Sequence, residues 1–328
     1  MLTRKWRGTH KFIFIAALLM LSILLLAGCA KESATAPNSA AASGNSEPSG
    51  TEVTEISIQD AYGEVKIPAN PARIVVLDIG ALDNLLAFGI KPVGAPSVLD
   101  PGTPYPAYIS DTSGIENIGS VNEPSLEKID SLKPDLIIGN KDTHDQIHDQ
   151  LSQIAPTVFV ETLGVTWKEN LQLHAKSVGK EEAGKKLLDE YNQRIEELKS
   201  TISAKAEPPQ VSLFRTREDK VQVYLEQTFS GSIMKDAGIQ RPDAQLDEGF
   251  SKDVTEEQIA DLDGDVMIWF SREPQSFEKL QSTALWSKLQ GVQNNKVVQV
   301  DWETWMSGLG IQAVNKVVDD LFKYVGEN

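Results

Sequence analysis

Glu127-Lys128-Ile129-Asp130-Ser131-Leu132-Lys133-Pro134-Asp135-Leu136-Ile137-Ile138 has a counterpart in the second half of the chain. It is Glu257-Gln258-Ile259-Ala260-Asp261-Leu262-Asp263-Gly264-Asp265-Val266-Met267-Ile268. Both read Glu-x-Ile-x-x-Leu-x-x-Asp followed by three apolar residues. Each predicts a short helix, a turn made by Pro or Gly, and a buried strand. A second pair supports the first: Leu86-Ala87-Phe88-Gly89-Ile90-Lys91-Pro92 and Lys235-Asp236-Ala237-Gly238-Ile239-Gln240-Arg241-Pro242 each end a helix at glycine. The chain therefore holds two similar α/β halves. Two lobes facing each other enclose a cleft, and small ligands bind in such clefts.

Around these units the pattern is strand–helix alternation, which predicts a parallel sheet with helices on its faces. Ile56-Ser57-Ile58 and Val65-Lys66-Ile67 form a hairpin around Tyr62-Gly63. Arg73 to Leu77 is a buried strand, Ala81 to Phe88 a helix, and Pro92 to Ala95 starts the next strand. His144 to Ile154 is helical and Thr157 to Val160 a strand. In the second half Val211 to Phe214 and Val221 to Tyr224 are strands about a charged turn. Phe229 to Ala237 is a helix, Lys296 to Val300 a strand, and Gly310 to Tyr324 an amphipathic helix.

Lys180 to Ser203 breaks the alternation. Leu187, Leu188, Tyr191, Ile195, Leu198 and Ile202 recur at steps of three and four. Such a helix spans roughly 36 Å, more than a short crossover needs. It fits a single strut between lobes, with a surface helix of one lobe as the plainer reading.

Arg4, Lys5, Arg7 and Lys11 precede an apolar run from Phe12 to Leu26, which ends in Leu26-Ala27-Gly28-Cys29. This is the layout of an export signal. The ending looks like a lipobox, in which Cys29, the only cysteine, becomes a lipidated N-terminus. The alternative is a retained anchor, for which the run is short against roughly 20 residues. Two lipid signals would hold the chain stably on a membrane. From Lys31 to about Thr51 the chain is rich in Ala, Ser, Pro, Gly and Asn, the composition of a flexible tether. The expected divisions are 1–28 signal peptide, 29–52 tether, 53–165 N-terminal lobe, 166–207 helical segment with the strut, and 208–328 C-terminal lobe.

Loss of residues 1–28 would leave 27 basic against 47 acidic residues, a net charge of −20. That argues against nucleic acid and against direct adsorption to anionic lipid. With Cys29 committed to lipid no disulfide is possible, so the core carries the fold.

Several stretches resemble one family. They are Arg73-Ile74-Val75-Val76-Leu77, Leu82 to Gly94, Ile118-Gly119 with Glu123-Pro124-Ser125-Leu126-Glu127, Lys133 to Ile138, and Ile154 to Val158. In the second half they are Phe229 to Ile233 with Asp236-Ala237-Gly238, and Trp305 with Gly308-Leu309-Gly310 and Val317 to Leu321. The chain resembles the iron–siderophore substrate-binding lipoproteins of ABC importers, nearest the ferric hydroxamate (ferrichrome-type) branch. The resemblance implies a class III periplasmic-binding-protein fold: two Rossmann-like α/β lobes joined by one long helix, with limited hinge motion. It implies capture of a ferric siderophore by a monomer on the outer face of the plasma membrane. That face is extracellular in a Gram-positive cell and periplasmic otherwise. Delivery would be to a permease, of two membrane subunits or a fused one, with its cytoplasmic ATPase. Where some ferrichrome binders carry an arginine between the Ile-Gly and Glu-Pro elements, this chain has Ser120-Val121-Asn122.

In open parallel sheets ligands bind beyond the carboxyl ends of strands. Those loops offer Asp78, Asn140 and Lys141 in the first half, and Arg215, Arg217, Ser271, Arg272, Trp302 and Trp305 in the second. A guanidinium is always charged and forks onto hydroxamate or carboxylate oxygens, and indoles supply apolar walls. Arg215, Arg217 and Trp305 stand out because the resemblance places ligand contacts in their regions. Trp269 reads as core. Glu127 and Glu257, early in equivalent helices, are the expected docking charges for permease arginines, with helix capping as the plainer role.

Other ligands remain as alternatives: haem, cobalamin, a catecholate siderophore, or a bare Zn or Mn ion. His144 and His148 have helical i, i+4 spacing, but the residues between them do not make HExxH. Surface histidines are the expectation and no metal site is assigned. No Gly-x-Ser-x-Gly elbow or phosphate loop is present, and catalysis is not expected. No cofactor is expected beyond the siderophore ligand.

Overall fold

Both copies of the repeated unit fold as helix, turn and strand, and their shared aspartate does the same work twice. The computed structural model describes residues 54–98 and 105–327. The expected signal, Cys29 and the whole of the 29–52 tether lie outside these residues. In the first unit Ser125 caps helix α2 (Leu126–Ser131), accepting from Lys128 N–H at 3.3 Å. Lys133 turns the chain at φ 48°, and Pro134 cannot continue the helix. Strand β6 (Leu136–Asn140) follows. The Asp135 carboxylate accepts from Ala72 and Arg73 N–H at 2.8 and 2.9 Å, just ahead of the neighbouring strand. In the second unit a short 3-10 helix (Glu256–Leu262) precedes strand β11 (Val266–Phe270). Asp265 accepts from Gln210 N–H at 2.8 Å, again just ahead of the partner strand. Ile129 and Ile259 are buried at matching places. Gly89 (φ 74°) and Gly238 (φ 66°) end their helices in the left-handed region, which costs glycine least.

The first lobe opens with hairpin β1 (Glu55–Asp60) and β2 (Gly63–Pro68). Then come β3 (Ile74–Val76), α1 (Ile79–Ala87), β4 (Gly94–Ser97) and β5 (Glu116–Ser120). After α2 and β6 follow α3 (Lys141–His144), α4 (His148–Ile154) and β7 (Thr157–Val160). Its five strands are parallel in the order β5-β4-β3-β6-β7. Helices cover both faces, so the central strands are continuous apolar runs; Leu136, Ile137 and Ile138 are fully buried. The hairpin covers the β7 edge: Phe159 N–H donates to Asp60 at 2.9 Å and Ala61 N–H to Phe159 O at 2.9 Å.

Helices α5 (Trp167–Ser177) and α6 (Glu181–Ser203) join the halves. Helix α6 buries Tyr191, Ile195, Leu198 and Ile202 on one face, as its spacing predicts. The Tyr191 hydroxyl donates to Asp236 at 2.5 Å, fixing the strut to the second lobe. That lobe contains β8 (Val211–Thr216), β9 (Val221–Tyr224), α7 (Phe229–Asp236) and β10 (Ser251–Val254). It continues after β11 with α8 (Pro274–Gln281), α9 (Gln290–Gln293), β12 (Val297–Gln299), α10 (Trp302–Trp305) and α11 (Ile311–Leu321). The order is β10-β9-β8-β11-β12, with β8, β11 and β12 parallel and β9 and β10 antiparallel. This edge departs from the expected alternation. Strand β10 is mostly polar and carries no apolar run by which to recognise it.

Helix α11 packs on α1 of the first lobe as well as on α6 and α7. The terminal helix therefore serves both halves rather than the second alone. Among the described residues no helix is long and apolar enough to cross a membrane.

The aspartate ties predict a measurable effect. Asp135→Ala removes a charged acceptor from two N–H groups and should cost about 1–3 kcal/mol. A lower urea midpoint with an unchanged slope is the expected result; an unchanged midpoint would deny the anchor its role.

Candidate functional site

Strands β8, β11 and β12 lie side by side, so the loops beyond their carboxyl ends converge. Arg215 sits near the end of β8, Arg272 two residues past β11, and Trp302 opens α10 after β12. The Arg272 and Arg215 guanidinium carbons lie 4.9 and 5.8 Å from the Trp302 ring centre. Each is within cation–π range. Arg215 also reaches the Tyr224 hydroxyl at 3.5 Å.

No carboxylate among the described residues pairs with Arg215, Arg217 or Arg272. Glu303 feels the Arg272 charge, yet its carboxylate accepts from Ala107 N–H at 3.3 Å. The Trp302 indole N–H and the Arg215 Nε–H are buried without an acceptor. Two cations against one ring repel each other, and buried donors without acceptors are costly. An oxygen-rich anion relieves both.

This wall stands at the junction of the lobes. Glu303 meets Ala107 of the first lobe, and the Tyr108 hydroxyl donates to Gly308 O at 3.3 Å. The start of α1, at the carboxyl end of β3, packs against Leu309 so closely that a Cβ on Gly80 would lie 3.0 Å from its carbonyl oxygen.

The other expected contacts are placed differently. Trp305 is completely buried and donates its indole N–H to Asp320 at 2.8 Å, which leaves it no face for a ligand. This corrects the reading of Trp305 as a cleft wall; Trp302 is the indole that meets Arg215 and Arg272. Trp269 stacks on Phe277 at 3.6 Å in the core. Arg217 lies one residue past β8 and lines a separate cavity of about 330 Å³ with Lys220, Asp253 and Lys279. Asn140 is fully buried: its side chain caps α3 through Thr143 N–H at 3.0 Å and donates to Asp78 at 3.2 Å. That corrects Asn140 to a structural cap. Asp78 caps α1 through Ala81 N–H at 2.8 Å. Ser271 bridges strand ends, donating to Thr216 O at 2.6 Å. Lys141 pairs with Glu161 at 2.9 Å and lies over the Tyr62 ring at 5.3 Å.

His144 is buried, not a surface residue, with Nε2 at 2.9 Å from Val121 O. His148 stacks on Tyr62 at 4.0 Å. A 3-10 turn separates the two, so they do not share one regular helix. Among the described residues no three metal-ligating side chains cluster.

The sequence reading missed Tyr224. Arg215 pairs with Gln222 across the β8–β9 ladder, so Tyr224 lies diagonally on the same face. The register of that hairpin is the signal that finds it. Glu127 and Glu257 are both exposed, one at the start of each repeated helix. Neither forms an ion pair among the described residues. Glu257 is held below the usual carboxylate range by its own backbone N–H and the Thr255 hydroxyl.

Comparison with known proteins finds a family model described as periplasmic binding protein matching residues 74–304. The Bacillus subtilis protein named "Probable siderophore-binding lipoprotein YfiY" is 35% identical, over 96% of this chain and 98% of its own length. The "Fe(3+)-citrate-binding protein YfmC" of the same organism is 30% identical, over 97% and 98%. The solved structure of Staphylococcus aureus SirA complexed with staphyloferrin B superposes with a TM-score of 0.75 at 30% identity, covering 82% of this chain and 98% of that one.

Proposed function

The chain belongs to the periplasmic binding protein family, and from that premise we propose that it captures a ferric siderophore with free carboxylate groups and delivers it to an ABC importer. One observation carries this: Arg215 and Arg272 stand against Trp302, and no carboxylate among the described residues pairs with either. A guanidinium forks onto carboxylate oxygens. A ferric trihydroxamate is neutral and offers such a wall less than an anionic citrate-type chelate does. On this ground we prefer a carboxylate type to the hydroxamate type expected from the ferrichrome-like stretches. A relative named for ferric citrate agrees with that choice.

Members of this family are binding proteins, and the reading for this chain is stoichiometric capture without turnover. Tryptophan fluorescence titration against ferric citrate, other carboxylate chelates and neutral ferric trihydroxamates tests it. One anionic chelate per chain should quench emission, with affinity falling as salt rises. Salt-independent preference for the neutral chelates would overturn the carboxylate assignment.

Delivery requires a position outside the membrane. Lipidation of Cys29 would hold the lobes there through the tether, beside the permease and its ATPase. Cys29→Ala should leave uncleaved precursor or shed protein, read by membrane fractionation. Normal processing and retention of that variant would remove the anchor from this account.

A further inference from the structure

Helix α11 starts without a cap of its own. Gly310 holds the N-cap position and brings no side chain. A helix start leaves four N–H groups without intrahelical partners, and buried ones must be satisfied elsewhere. The first three of α11 are taken by consecutive side chains of α1, across the lobe boundary. Ile311 N–H donates to Asn84 Oδ1 at 3.0 Å, Gln312 N–H to Asp83 Oδ1 at 2.8 Å, and Ala313 N–H to Asp83 Oδ2 at 3.0 Å. Val314 N–H then makes the first bond inside the helix, to Gly310 O at 3.0 Å. The Gln312 side chain returns a bond to Asp83 O at 2.9 Å.

The arrangement is closed to water and to substitution. Asp83 and Asn84 are fully buried. A Cβ on Gly310 would lie 2.5 Å from Asp83. The Asn84 amide is oriented by His174, whose Nδ1 lies 3.0 Å from its Nδ2. Burial pulls His174 down to about 4, so the imidazole is neutral and its Nδ1 accepts. Burial pushes Asp83 up to about 7, against the Gln312 and Ala313 N–H groups that pull it down.

We propose that Asp83 and Asn84 form an interlobe latch, in which the first lobe supplies the cap of the last helix and so fixes the separation of the lobes. Helix α10, which carries Trp302, reaches α11 through the short loop around Gly308. The latch therefore positions the arginine–tryptophan wall against the first lobe without touching the ligand. A site held ready loses less freedom on binding. Only the consequence for ligand affinity rests on the siderophore reading.

The test is hydrogen exchange on the ligand-free full chain, comparing wild type with Asp83→Ala, Asp83→Asn, Asn84→Ala and Tyr108→Phe. The amides of Gln312 and Ala313 should exchange roughly fivefold to thirtyfold faster in Asp83→Ala, and that of Ile311 in Asn84→Ala, the equivalent of losing a cap. Ala107 decides between a latch and a local cap. Its N–H crosses to Glu303, while the next residue, Tyr108, hydrogen-bonds the Asp83 carboxylate. Tyr108→Phe removes that local tie and leaves the cap of α11 in place, so exchange at Ala107 that is faster in Asp83→Ala than in Tyr108→Phe means the lobes have loosened. Asp83→Asn, which keeps the shape and one acceptor oxygen, should fall between and carries the test if the alanine variant does not fold. Exchange at Ala107 no faster than in Tyr108→Phe, in a folded variant with a freed α11 start, would reduce the pair to a local cap. If Ala107 loosens while wild type binds no ferric siderophore, the latch stands and the functional reading falls. If wild type binds, the latch variants should bind several-fold more weakly.

Discussion

Alanine at both Arg215 and Arg272 is expected to strip the chain of most of its affinity for a ferric carboxylate chelate. Removing one partner of a buried, hydrogen-bonded charge pair costs roughly 2–5 kcal/mol, about thirtyfold to several thousandfold. Much of that is the cost of the ligand charge left unpaired. The two arginines share the Trp302 ring, so their single effects should not add. Arg217→Ala serves as the comparison. Its side chain lines a different cavity, so its loss should be smaller. Equal losses for Arg217→Ala and Arg215→Ala would move the site toward the cavity beside Lys279.

The second large effect should appear only in cells. Glu127→Ala/Glu257→Ala is expected to abolish siderophore uptake while siderophore affinity and folding stay at wild-type values. The two residues hold equivalent exposed places, one per lobe, and no lysine or arginine among the described residues pairs with either. We propose them as docking charges, one per lobe, for a transporter built from two similar halves. Capping gives a different outcome. The Glu257 carboxylate already accepts from its own N–H and from Thr255, so a residue that only caps would lose some helix stability. Labelled-iron uptake at normal expression separates these roles, because unchanged uptake leaves only capping.

The repeat was legible because it is local. An aspartate, a buried isoleucine and a breaking turn recur at fixed spacing, and Asp135 and Asp265 hold strand starts in the same way. The strut was legible from its 3.6-residue period. The site was only half legible. Strand ends pointed to Arg215, Arg272 and Trp302, but alternation stops where a strand stops, so it could not aim Arg217. Trp302 and Trp305 stand on one short helix, and only the tertiary partner Asp320 shows which of them is core. Asn140 and Lys141 look free in sequence. Their partners, Asp78 and Glu161, lie far along the chain and next to them in the fold. The cap of α11 by Asp83 was hidden for the same reason, since the two elements are at opposite ends of the folded chain.

A crystal structure of the chain with ferric citrate or a related carboxylate chelate would decide whether the arginine–tryptophan wall holds the ligand. Chelate oxygens are expected within hydrogen-bond distance of the Arg215 and Arg272 guanidinium groups, with Trp302 against the chelate frame. A chelate bound elsewhere, with both arginines facing solvent, would contradict it.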